Sequence, residues 1–108
     1  MIGSAPKITR PPKSTVVEVK SSIFISCYAD GSPPPSYSWL INNRVIRDDD
    51  PYKKTETFIN GPSQLRIFEV KQGSANYTCV ADNGIGEPAT AVAKIIAIPG
   101  KAILIFKY

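Results

Sequence analysis

A chain of 108 residues with a net charge of +4 has room for one domain around one hydrophobic core. It contains no histidine, which excludes Ser–His and Cys–His nucleophiles and any histidine-ligated zinc site. Ten prolines and seven glycines argue against long helices, and no apolar run reaches the roughly 18 residues of a membrane span.

The predicted elements are strands. Residues 1–5 read as an expression start or linker, without the charged-then-apolar pattern of a signal peptide. Residues 6–12 form an edge strand stopped by Pro11 and Pro12, since proline is tolerated where no ladder N–H is needed. Residues 15–19 are a short second segment. Residues 23–29 alternate with a period of two: Ile23, Ile25 and Cys27 share one face, and Phe24, Ser26 and Tyr28 the other. Asp30-Gly31-Ser32-Pro33-Pro34-Pro35 is a loop. Residues 37–41 return as a strand with Tyr37, Trp39 and Ile41 inward and Leu40 outward. Asn42-Asn43 turns the chain, because asparagine tolerates left-handed backbone, and residues 44–46 pair back.

Asp48-Asp49-Asp50 has two readings, a calcium site or an exposed acidic turn. Calcium takes about six to eight oxygens. Nothing nearby supplies the remainder, so the acidic turn is preferred and no metal is expected. Residues 52–57 are the next strand and Asn60-Gly61-Pro62 a turn. Residues 63–70 carry Leu65 and Ile67 inward, with Arg66 and Phe68 outward. Residues 71–76 make a corner. In residues 77–82, Tyr77 and Cys79 point inward, Thr78 and Val80 outward. Asn83-Gly84-Ile85-Gly86 is a hairpin turn. Residues 89–98 line the core with Ala91, Ala93, Ile95 and Ala97 and expose Val92 and Lys94. The domain thus spans residues 6–98. Residues 99–108 are a tail outside the core, and 101–108 are apolar and β-forming, a self-pairing hazard.

Four residues organise this pattern: Cys27, Trp39, Tyr77 and Cys79. Their order suits a sandwich of two antiparallel sheets, with an indole against a bridge between facing strands and a tyrosine hydroxyl tied to the backbone before the second cysteine. Leu65 and Ile67 join Trp39 and Tyr77 in the core. A Cys27–Cys79 disulfide would contribute about 4 kcal/mol by restricting the unfolded chain. The other reading is a pair of buried free thiols in a reducing compartment.

The residues resemble the immunoglobulin domains of the I-set. The resemblance rests on Pro6-Lys7-Ile8, Gly31-Ser32-Pro33-Pro34-Pro35, Trp39, Leu65-Arg66-Ile67, Tyr77-Thr78-Cys79-Val80-Ala81-Asp82-Asn83 and Gly86. Lys7-Ile8-Thr9-Arg10-Pro11-Pro12 is similar to a segment of muscle-specific receptor tyrosine kinases. Ser74-Ala75-Asn76-Tyr77-Thr78-Cys79 is similar to one in LAR-type receptor tyrosine phosphatases. The resemblance implies an all-β, immunoglobulin-like sandwich of two antiparallel sheets. Two positions depart from it: Gly73 stands where the family has Asp, which removes an expected bridge to the strand at residues 52–57, and Lys20 stands where it has Gly.

No phosphate loop and no cleft-borne carboxylate pair is visible, so no enzyme and no cofactor is expected. The basic residues are scattered without a basic–aromatic groove, which argues against nucleic acid. The resemblance implies an extracellular recognition or adhesion module of a multidomain cell-surface receptor, joined to flanking domains. The alternative is a structural spacer in an intracellular muscle or actin-associated protein. Partners are a protein or a second copy, with acidic polysaccharide the runner-up. Asn76-Tyr77-Thr78 is an N-x-Thr glycosylation acceptor in a secreted chain, with Asn76 outward. Two faces compete as interface: Leu40, Val80 and Val92, ringed by Ser38, Thr78, Asp82 and Lys94, and on the other sheet Phe24, Tyr28 and Phe68 with Arg66. The resemblance favours the Leu40 face.

Overall fold

The structure, a computed structural model, describes residues 3–100. Its strands are β1 (Ser4–Arg10), β2 (Thr15–Glu18), β3 (Ile23–Ser32), β4 (Ser36–Ile41), β5 (Arg44–Val45), β6 (Lys53–Thr57), β7 (Ser63–Ile67), β8 (Gly73–Asp82) and β9 (Ala89–Ile98). They form two sheets, β1-β3-β7-β6 and β2-β9-β8-β4-β5. Every pairing is antiparallel except β2 with β9, which run parallel from Thr15 beside Ile95 to Glu18 beside Ile98. The fold is an all-β sandwich.

The alternating residues meet between the sheets. Ile25, Leu65 and Ile67 come from one sheet, and Trp39, Tyr77, Ala93, Ile95 and Ala97 from the other. Cys27 and Cys79 form a disulfide across the gap, with Cα atoms 6.4 Å apart. Trp39 is 2 % exposed, and its Nε1 donates to Ser63 Oγ on the opposite sheet at 2.9 Å. Ser63 is itself 1 % exposed, so the indole N–H and this hydroxyl satisfy each other where water cannot reach. The Tyr37 hydroxyl accepts from Ala29 N at 2.9 Å and lies 3.3 Å from Ala29 O, to which it donates. That clip holds the end of β3 against β4.

The turns follow local chemistry. Asn42 and Asn43 both have positive φ, 47° and 68°, as a two-residue hairpin with the right twist requires. Lys20 has φ 68°, so it occupies a left-handed position that glycine takes at lower cost. Hydrogen bonds from Lys20 N to Val70 O (2.7 Å) and from Val70 N to Ser21 O (2.9 Å) hold it there.

Several expected boundaries shift. Ser4 and Ala5 belong to β1, with Ser4 opposite Ser32, and are not lead-in. β7 ends at Ile67 rather than at residue 70, because Glu69 turns with φ 50°. β8 starts at Gly73 rather than at Tyr77, because Gly73–Asn76 pair along Ala97–Lys94. This straightens the expected corner, and the backbone tie of the Tyr77 hydroxyl is not formed among the described residues. The ring stays buried, and the side chain lines a cavity of about 340 Å³ with Asp50, Lys53 and Gly73. Lys53 at the start of β6 pairs instead with Asp50, three residues earlier, at 3.5 Å. Tail residues 101–108 lie outside the described residues.

Burial raises the Tyr77 phenol above its ordinary value of 10.0, and the Asp50 carboxylate adds to the rise. The folded state therefore holds this proton more tightly than the unfolded chain. The associated stability is complete below the ordinary tyrosine range and is lost as pH climbs through it toward the folded value. Tyr77→Phe keeps the ring and removes the proton. Its denaturant midpoint should fall less than the wild type's between neutral pH and about pH 11. Parallel curves would contradict this origin.

Candidate interaction face

The outer face of the five-stranded sheet is built by register. Val45 lies opposite Leu40, Leu40 opposite Thr78, and Thr78 opposite Val92. Directly paired residues point to the same side. The result is a continuous row over β5, β4, β8 and β9, with Val45 and Val92 well exposed at its ends. The next outward row is Ser38, Val80 and Thr90. Thr78 is 7 % exposed although it faces outward, because its neighbours on both strands cover it. It therefore sits at the centre of the patch and not in the surrounding ring expected for it. Asn76 and Lys94, paired with each other, bound the patch on one side; Asp82, beside Ser36, lies beyond Val80 on the other. The arrangement sets apolar side chains around the nearly buried Thr78, with a polar rim outside them.

Val45 was not among the expected interface residues. The signal lay in the two-residue Asn42-Asn43 turn, which forces Ile41 opposite Arg44 and so Leu40 opposite Val45.

The outer face of the other sheet is organised differently. Phe24 lies opposite Arg66, and Arg66 opposite Lys54. Phe24, Arg66 and Phe68 line one shallow groove. Tyr28 is not part of that group. It stands four residues along β3 from Phe24, about 13 Å away, and its ring lies under the Arg10 guanidinium at 4.5 Å. Phe24, Phe68 and Arg66 thus stand together as expected, and only Tyr28 stands apart from them.

The three aspartates divide. Asp49 takes both oxygens to Arg47, at 3.1 and 3.3 Å. Asp50 accepts from Tyr52 N at 2.8 Å and pairs with Lys53. The backbone hydrogen bond, with the Lys53 charge, holds the Asp50 carboxyl below its usual range. No group of three metal-binding side chains converges among the described residues.

At the pole where β1 begins, Asn83 Nδ2 donates to Ser4 O at 2.7 Å and to Pro33 O at 3.0 Å. One side chain thereby ties three segments that are far apart in sequence.

A family model described as an immunoglobulin domain matches residues 5–83. The crystal structure of the N-terminal Ig1-2 module of the Drosophila receptor protein tyrosine phosphatase DLAR is 34 % identical, with a TM-score of 0.81, covering 88 % of this chain and 50 % of that one. Neural cell adhesion molecule 1-B of Xenopus laevis is 33 % identical over 80 % of this chain and 8 % of its own length. The titin domains z1z2 in complex with telethonin are 30 % identical, with a TM-score of 0.80, over 92 % of this chain and 50 % of that one. The chain spans less than a tenth of the curated relatives it matches.

Proposed function

This chain belongs to the immunoglobulin-domain family, and on that premise we propose that it is an extracellular recognition module of a cell-surface receptor or adhesion protein. It binds a protein partner, a second copy of the domain being the one tested, through the face centred on Leu40 and Thr78. The observation that carries this reading is the unbroken row Val45–Leu40–Thr78–Val92 across four strands, apolar at three of its four positions. Single exposed apolar residues need no explanation, but a contiguous patch on one face does. Similarity to a receptor phosphatase module and to a neural cell adhesion molecule supports the setting. The disulfide supports it too, since such bonds persist where the surroundings are oxidising. The immunoglobulin fold is itself non-catalytic, so the work assigned to this domain is binding.

A second reading is a structural spacer in an intracellular muscle protein, favoured by the similarity to titin z1z2. Self-association measured by sedimentation separates the two. Leu40→Asp places a charge in the row beside Thr78 and should weaken association at least about tenfold, whereas Phe68→Asp should leave it unchanged. Both variants are first matched to the wild type by near-ultraviolet circular dichroism. Loss with Phe68→Asp alone assigns binding to the other sheet; loss with neither favours the spacer.

A further inference from the structure

The Asn76-Tyr77-Thr78 triplet lies on the same strand as the proposed binding row. Asn76 and Thr78 point to the same side of β8 and stand about 7 Å apart. Leu40 and Val92 flank Thr78 on the neighbouring strands, so they are diagonal neighbours of Asn76, within roughly 8 Å. The backbone at this point is locked: Asn76 N donates to Asn42 Oδ1 at 2.9 Å, and Asn42 N donates to Asn76 O at 2.8 Å. The Asn76 side chain is exposed, and Tyr77 beside it is buried, which fixes the direction in which position 76 projects.

We propose that Asn76 carries an N-linked glycan and that this glycan covers the Leu40–Thr78–Val92 row, so that occupancy at Asn76 and binding through that row exclude one another. The inference rests on the reading of the Leu40 face as the binding face. The chemistry needs one donor, a lipid-diphosphate-linked oligosaccharide. Asn76 Nδ2 forms a bond to the anomeric carbon of the first sugar while that carbon's bond to the phosphate oxygen breaks. The lipid diphosphate leaves, one amide proton passes to a base, and nothing is oxidised or reduced. A glycan is bulky and hydrated. Anchored on a rigid strand, it begins within reach of side chains two positions along and one strand across.

The geometry also sets the order of events. Thr78, which the acceptor triplet requires, is 7 % exposed, and the three residues are held extended between β4 and β9. The triplet is readable before β8 is paired and hidden afterwards. Addition therefore precedes folding, and each folded molecule keeps the state it acquired then.

The test uses the chain secreted from a glycosylating cell and needs no partner. Intact mass and peptide mapping measure occupancy at Asn76. Hydroxyl-radical footprinting then compares the glycosylated protein with two references, Asn76→Gln and wild type trimmed by an endoglycosidase to a single sugar. Oxidation of Leu40 and Val92 should rise severalfold in both references, while that of Phe24 on the other sheet stays constant. The trimmed wild type preserves the comparison if Asn76→Gln does not fold. An unmodified Asn76 in the secreted chain overturns the proposal, and so does a glycan that leaves Leu40 and Val92 as reactive as in the references. Failure of the binding-face reading shows separately, as unchanged self-association of Leu40→Asp without a glycan.

Discussion

Trp39→Ala should be the most damaging single substitution in the chain, costing about 3–5 kcal/mol. The indole is almost wholly buried between the sheets. Truncation leaves a cavity that strands pinned by the disulfide and by the β4–β8 ladder cannot close. It also leaves Ser63 Oγ without the donor it faces in a dry site. For a domain of this size, each kcal/mol shifts the melting temperature by about 4–8 °C, so a fall of roughly 12 °C or more is expected. Trp39→Phe separates the two contributions, because it keeps most of the volume and removes the N–H. It should cost about 1–3 kcal/mol, the usual penalty for one buried group left unsatisfied. Val92→Ala, on the exposed face, should stay within about 0.5 kcal/mol. A Trp39→Ala melting point only a few degrees below the wild type's would mean that the core closes around the gap.

The second large effect concerns the disulfide. Replacing Cys27 and Cys79 together by alanine should cost about 4 kcal/mol, because the bond closes a long loop in the unfolded chain. The sequence separation is 52. The comparison is made by urea unfolding of the oxidised wild type and the double variant. Cys27→Ala alone leaves Cys79, which is 0 % exposed, as a free thiol in the core. That thiol should resist alkylation in the folded protein and react once urea unfolds it. A double variant as stable as the wild type would place the stability in the packing around Trp39 and not in the crosslink.

Much of the core was legible because a strand's side chains alternate. Once Cys27, Trp39 and Cys79 are set inward, Ile25 and Tyr77 follow by counting in twos along their strands, and the same period groups Leu65 with Ile67 and Ala93 with Ile95 on theirs. Ser63 follows by the same count from Leu65. Strand ends were less legible. Gly73-Ser74-Ala75 has little preference for a strand by itself and is recruited by Ala97, Ile96 and Ile95 on β9. Glu69 gives no local sign that it will turn with positive φ. Lys20 offers a sign only by contrast, since the family's glycine there marks the left-handed conformation that Lys20 must adopt. The candidate face was legible as a set of outward residues. Its centre was not, because only cross-strand register puts Thr78 between Leu40 and Val92.

The parallel pairing of β2 and β9 has a mechanical consequence. The described chain enters at one pole, where Ser4 meets Ser32 and Asn83, and leaves at the other, where Ile98 meets Glu18 and Val19. Tension applied to the two ends runs along the strands. In the β2–β9 ladder it draws the neighbours past each other, so the rungs from Thr15 to Glu18 bear the load together rather than opening in turn. A pull between these two ends would therefore load the rungs from Thr15 to Glu18 in shear.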